Sequence, residues 1–117
     1  MTTDTTAEHA ATTLAGIELL DLGQVRRVRL WGEVDGALRL QASQVLASLV
    51  TRHEPVEIDA SEVTFMDSTG IAFMLQISSL GRDEEFPVTL LAAPAVVTDV
   101  LAMIGASDLF GTPAPTT

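Results

Sequence analysis

The chain contains no cysteine and no lysine, and none of its apolar runs is long enough to span a membrane. Without cysteine there is neither a disulfide framework nor a thiolate metal site, which fits a cytoplasmic protein. Its six basic residues are all arginine, against 16 acidic ones, for a net charge of −10. Direct nucleic-acid binding relies on clustered Lys and Arg, so it is disfavoured, as is an anionic membrane surface. A protein partner with a neutral or basic docking face is the easier match. Crossing a bilayer takes ~18 apolar residues or more, so no membrane span is expected. The Thr- and Ala-rich stretch Met1–Thr13 lacks the basic and apolar regions of a secretory signal and reads as a disordered leader. Gly111–Thr117, interrupted by two prolines, reads as a disordered tail. There is no internal repeat, no Gly-x-x-x-x-Gly-Lys phosphate loop and no Gly-x-Ser-x-Gly elbow, so nucleotide chemistry of the P-loop kind and a serine hydrolase both lack their motifs. His9 and His53 stand alone and read as surface residues rather than metal ligands. Neither a cofactor nor a metal site is expected.

What is present suffices for one small domain. A chain of 117 residues with 47% hydrophobic content can bury roughly two-thirds of its unfolded surface in a single core. Leu14–Leu22 and Val25–Val34 bracket a turn at Gly23 and Gln24, and Val28 and Leu30 alternate with Arg27, Arg29 and Trp31; the pair predicts a hairpin. A helix follows over about Ala37–Val50, with Leu38, Ala42, Val45, Leu46 and Leu49 on one stripe and Arg39, Gln41, Ser43 and Gln44 facing away. Pro55 closes it. Val56–Ala60 is a third strand, followed by the apolar run Val63–Met66. The next helix covers about Thr69–Gly81, with Ile71, Met74, Leu75, Ile77 and Ser78 inward and Gly81 as its C-terminal cap. Arg82–Phe86 reads as a solvated connection. Val88–Leu91 looks like a central strand covered on both faces, and Ala95–Ile104 is a last helix stopped by Gly105. Hairpin then β-α-β-α-β-α asks for right-handed parallel crossovers: an α/β fold, a small mixed sheet of about four strands with helices packed against it.

The segment Asp67-Ser68-Thr69-Gly70 sits where the buried run ends and this second long helix begins. The first N–H groups of a helix lack partners within it and carry partial positive charge. Ser68 can cap that end, or it can carry a phosphate, and the two roles are compatible. Asp67 has no His or second acid near it in sequence, so a role in structuring the loop or in recognition by a kinase fits better than catalysis. Thr69 is the alternative acceptor. Gly70 either lets a partner backbone come close or eases the turn. Trp31 packs against the hairpin or a helix, with a partner contact as the alternative. Met66, Phe73 and Met74 read as core or rim, and Asp83–Glu85 as solvated loop.

Three stretches carry a family resemblance. Val28–Asp35 (VRLWGEVD) resembles the hydrophobic-x-Leu-x-Gly-Glu-Leu-Asp opening of STAS domains. Val56–Gly70 resembles their central strand and phosphorylation loop, and Val100–Phe110 their closing helix end. In this order and spacing they cover about residues 14–110, the expected domain. A stand-alone domain with Asp-Ser in the loop is similar to the anti-sigma factor antagonists. The resemblance implies a non-enzymatic protein, monomer or weak dimer, that binds an anti-sigma factor of the GHKL serine-kinase type and so frees a sigma factor for transcription. It implies phosphorylation of Ser68 by that kinase, which weakens the complex, and reversal by a metal-dependent serine phosphatase. It places Asp35, Asp67, Ser68, Thr69 and Gly70 at the docking surface and helix start. Leu38 departs from the family, which often has Thr or Asn there. STAS domains also serve as non-switching subunits of stress-sensing or lipid-transport complexes, the alternative role.

Overall fold

The computed structural model describes residues 14–112; the expected leader Met1–Thr13, with His9, and residues 113–117 of the expected tail lie outside them. Strand β1 (Gly16–Asp21) turns into β2 (Arg26–Val34) at Gly23, whose φ of +96° is open to glycine, and the Asp21 carboxylate accepts the Gly23 N–H at 3.0 Å. The two strands pair antiparallel, Gly16 opposite Trp31 and Asp21 opposite Arg26. Along β2 the expected alternation holds: Val28, Leu30 and Val34 are buried, while Arg27, Arg29 and Trp31 take the opposite face.

A 3-10 turn (Gly36–Leu38) leads into helix α1 (Arg39–Leu49), then β3 (Val56–Met66), α2 (Ser68–Glu84), β4 (Val88–Ala92), α3 (Ala95–Met103) and a closing 3-10 turn (Ser107–Leu109). The sheet order is β1-β2-β3-β4, with β2, β3 and β4 mutually parallel. Both crossovers step the same way across the sheet, so right-handed connections lay α1 and α2 on one face. Ala42, Val45 and Leu49 from α1, Phe73, Met74 and Ile77 from α2, and Val97 and Leu101 from α3 form one core with the inward residues of the strands. The opposite face carries cross-strand pairs instead: Arg27 with Glu57 at 2.8 Å, and Arg29 between Glu18 and Glu62 and over the Trp31 ring. Trp31 therefore belongs to the hairpin, lying across Gly16, where a methyl group would come within 2.4 Å of its ring.

Four sequence expectations give way. Val56–Ala60 and Val63–Met66 are one strand, broken by two bulges against β2, so Phe65 is 49% exposed rather than buried. The Asp59 carboxylate accepts the Ser61 N–H at 3.0 Å and so satisfies the first bulge. Gly81 lies inside α2, because the helix presses so close to β4 that a methyl group there would meet Val88 Cγ2 at 2.6 Å. The cap is Glu85 in the left-handed region (φ 62°), and the Phe86 N–H returns to the Gly81 carbonyl at 2.9 Å. Arg82–Glu84 are accordingly helical and Phe86 is core, not solvated connection. Lastly, β4 is the last strand of the sheet; its outer edge pairs with Gly111, which donates to Val88 (2.8 Å) and accepts from Leu90 (2.9 Å), so Gly111 belongs to the sheet edge.

Candidate functional site

Helices α1 and α2 both leave the carboxyl ends of parallel strands, so their N-termini lie side by side at one end of the sheet. In open α/β sheets this is where ligands and partners meet the fold. The 3-10 turn that leads into α1 and the start of α2 use the same device. The Asp35 carboxylate accepts the Ala37 N–H at 3.0 Å, and the Asp67 carboxylate accepts the N–H groups of Thr69 (2.8 Å) and Gly70 (3.3 Å). Asp35 thereby builds the cap within its own turn, which leaves the position of Leu38 free to bury an apolar side chain. The Asp67 N–H also donates to the Val34 carbonyl at 3.2 Å, tying the two strand ends together.

Ser68 is not the cap. It is the first residue of α2, exposed, and its hydroxyl makes no hydrogen bond among the described residues. Thr69, beside it, is half-buried. Gly70 is buried, and a methyl group on it would lie 2.5 Å from Met66 Cγ, 3.0 Å from Val34 Cγ1 and 3.1 Å from the Val34 carbonyl oxygen. Its missing side chain lets the first turn of α2 sit directly on the end of β2. Of the five residues expected at the docking surface, Asp35, Asp67, Ser68 and Thr69 thus cluster at the helix starts, with Gly70 beneath them.

Two grooves flank Ser68. One, of about 550 Å³ between α1 and α2, is lined by Arg39, Ser43, Leu46, Thr69 and Gln76 among others. The other, of about 410 Å³ between α2 and α3, is apolar, formed by Met66, Ile71, Leu75, Val100 and Ile104. Ile104, at the end of α3, is 53% exposed and Met103 83% exposed. Arg39 is the site residue that sequence reasoning assigned only to a solvent face; the signal was its place at the start of a helix that parallel topology sets beside Ser68. Elsewhere His53 lies at the surface, 3.0 Å from Glu84, and Met66, Phe73 and Met74 are core. Among the described residues no three His, Cys, Asp or Glu side chains converge as metal ligands, and no helix is long and apolar enough to cross a membrane.

Known proteins place this geometry. Among solved structures the chain is similar to the anti-sigma factor antagonist SpoIIAA in its unphosphorylated form (TM-score 0.72, 18% identity, 85% of this chain and 89% of that one). It is similar to an anti-sigma factor antagonist from Mycobacterium paratuberculosis (TM-score 0.67, 22% identity, 86% of each chain). A third likeness is to the Bacillus cell fate determinant SpoIIAA in the phosphorylated form (TM-score 0.69, 17% identity, 85% of this chain and 92% of that one). No curated protein matches at the level of sequence. The family model described as "Mlab, STAS domain" matches residues 17–111, most of the chain. With the four-stranded mixed sheet, the one-sided helix layer and the Asp67–Ser68 helix start in place, the chain belongs to the STAS domain family.

Proposed function

We propose that this protein is an anti-sigma factor antagonist, docking a cytoplasmic anti-sigma factor of the GHKL serine-kinase type on the surface around Asp35, Asp67, Ser68 and Thr69. The observation that carries the reading is the free hydroxyl of Ser68: Asp67 does the capping, so modifying Ser68 costs the fold nothing it depends on. In the kinase reaction Ser68 Oγ attacks the γ-phosphorus of ATP, the bond from phosphorus to ADP breaks, and the hydroxyl proton passes to a base on the kinase. A metal-dependent phosphatase returns the hydroxyl by hydrolysis. The phosphate adds about −1.5 to −2 charges at the centre of the docking surface. Losing ~3 kcal/mol of interface energy there weakens binding more than a hundredfold. That one protein of this fold, SpoIIAA, exists in unphosphorylated and phosphorylated forms supports a modification the fold tolerates.

The test uses the anti-sigma factor of the source bacterium with ATP, followed by mass spectrometry of the peptide containing Ser68 and by binding measurements. Wild-type protein is expected to gain phosphate on Ser68 and leave the complex. Ser68→Ala stays bound and unmodified, and Ser68→Glu melts like wild type but binds at least a hundredfold more weakly. Equal binding of modified and unmodified protein sinks the switch. A second reading, a permanently docked subunit of a larger assembly, is favoured by the description of the matching family model as Mlab. Native mass spectrometry separates the two: a stable assembly that survives phosphorylation supports the subunit.

A further inference from the structure

Six arginines serve a chain with 16 acidic residues, and five of the six are engaged. Arg27 pairs with Glu57, Arg29 with Glu18 and Glu62, and Arg52 with Asp21. Arg26 donates to the Ser48 carbonyl and Arg82 to the Ser78 hydroxyl. Arg39 has neither an ion pair nor a hydrogen bond among the described residues. In so acidic a domain an unmatched guanidinium is unexpected, and its position is specific. It opens α1 and, among the described residues, is the only charged one lining the groove that it shares with Ser68 and Thr69. A methyl group on Gly36 would lie 3.7 Å from Arg39 Nη2 and 3.9 Å from Thr69 Oγ1, so the guanidinium and the start of α2 face the same small space.

We propose that Arg39 receives the phosphoryl group of modified Ser68, drawing it into the groove between α1 and α2. This rests on the reading of Ser68 as phosphoacceptor. A phosphate on Ser68 arrives beside the Asp67 carboxylate, with that of Asp35 capping the neighbouring turn, and both charges oppose it. The helix N-terminus offers less compensation than usual, because Asp67 already holds the N–H groups of Thr69 and Gly70. The counter-charge therefore comes from a side chain, and a guanidinium can grip two phosphate oxygens at once. The consequence is directional. The modified protein fills its α1–α2 groove with its own ion pair while the apolar α2–α3 groove stays open, so a partner loses the first surface and not the second.

The experiment installs phosphoserine at position 68 by genetic code expansion, without any kinase, and follows the phosphorus NMR signal of the whole protein between pH 5 and 8. The charged side chains around this helix start are Arg39, Asp35 and Asp67. The second ionisation of phosphoserine falls near pH 6. In the wild-type background its midpoint is expected below that, and Arg39→Gln is expected to raise it by about half a pH unit or more. Arg39→Lys should recover part of the shift, since it restores charge without the fork. Arg39 is exposed, so both variants are expected to melt like wild type before modification. Coincident titrations of wild type and Arg39→Gln overturn the proposal. Failure of the underlying reading is a different result: a cognate kinase that puts no phosphate on Ser68.

Discussion

At the level of single residues, Asp67 and Ser68 divide a task that a glance at the sequence assigns to one of them. Both are good cap residues, and the choice depends on where the helix starts, to within one position. The bulges in β3 and the bond from Asp67 N–H to the Val34 carbonyl fix that start, and neither is written in local sequence. The energetic consequence can be measured. Asp67→Ala removes the acceptor of two N–H groups and should cost about 0.5–2 kcal/mol, or about 4–8 °C of melting temperature per kcal/mol in a domain of this size. Ser68→Ala breaks no bond and should stay within about 0.5 kcal/mol of wild type. Thermal melts of the two variants decide it; the opposite ranking would return the cap to Ser68 and remove the ground for a free acceptor. Gly70 adds a second contrast. Gly70→Ala must push against the Val34 backbone as well as the flexible Met66, and overpacking of this kind costs about 1–3 kcal/mol. Any loss of binding to the proposed anti-sigma partner in that variant should track its loss of fold, since Gly70 lies beneath the surface.

At the level of elements, periodicity read well wherever one face of an element is buried and the other wet. The hairpin, α1 and α2 all fall near their expected places, because alternation along β2 and the stripe of α1 report directly on which side meets the core. It failed where apolar character does not report position. Val88–Leu91 is apolar enough for a central strand, yet β4 ends the sheet and is protected by Gly111, a long-range pairing that no local pattern encodes. The end of α2 failed for a related reason: a glycine signals either a left-handed cap or a close approach, and Gly81 serves the second purpose. That leaves Glu85 with a side chain in a conformation that costs non-glycine residues about 1–2 kcal/mol. Glu85→Gly should therefore gain stability, by about 0.5–1 kcal/mol once the greater freedom of glycine in the unfolded chain is counted. Urea unfolding provides the check, and a destabilised variant would mean that the Glu85 side chain contributes more than the strain removes. The candidate grooves were only half legible. Ser68 announced itself through its motif, whereas Arg39 belongs to another helix and becomes a neighbour only through the parallel crossover.

Over the whole molecule, the charge is distributed so that most arginines are held on the helix-free face of the sheet or at its far edge from the site. Arg27 and Arg29 sit over β3, and there they also act on Asp59. Burial alone pushes the Asp59 carboxyl up, but the Ser61 N–H and hydroxyl and the two guanidiniums outweigh it and hold the group below its ordinary value of 3.8. A carboxyl depressed in the folded state binds protons more readily in the unfolded chain, so its contribution to stability is present above the unfolded value and drains as pH falls through the folded one. Asp21, held down by its bond from Arg52, works in the same direction. Acidification also relieves repulsion in a chain of net charge −10, which opposes this loss and hides it in wild-type data alone. The comparison with Asp59→Asn separates the two, because asparagine keeps an oxygen for the Ser61 N–H and loses only the charge. In about 0.15 M salt, where distant exposed charges are largely screened, the stability advantage of wild type over Asp59→Asn should be constant from pH 7 to 5. Below about pH 4 it should shrink as the Asp59 carboxylate takes up its proton. Urea midpoints at four pH values measure this difference, and an advantage that persists unchanged at pH 3 would show that the arginines on this face do not stabilise Asp59 as a charge.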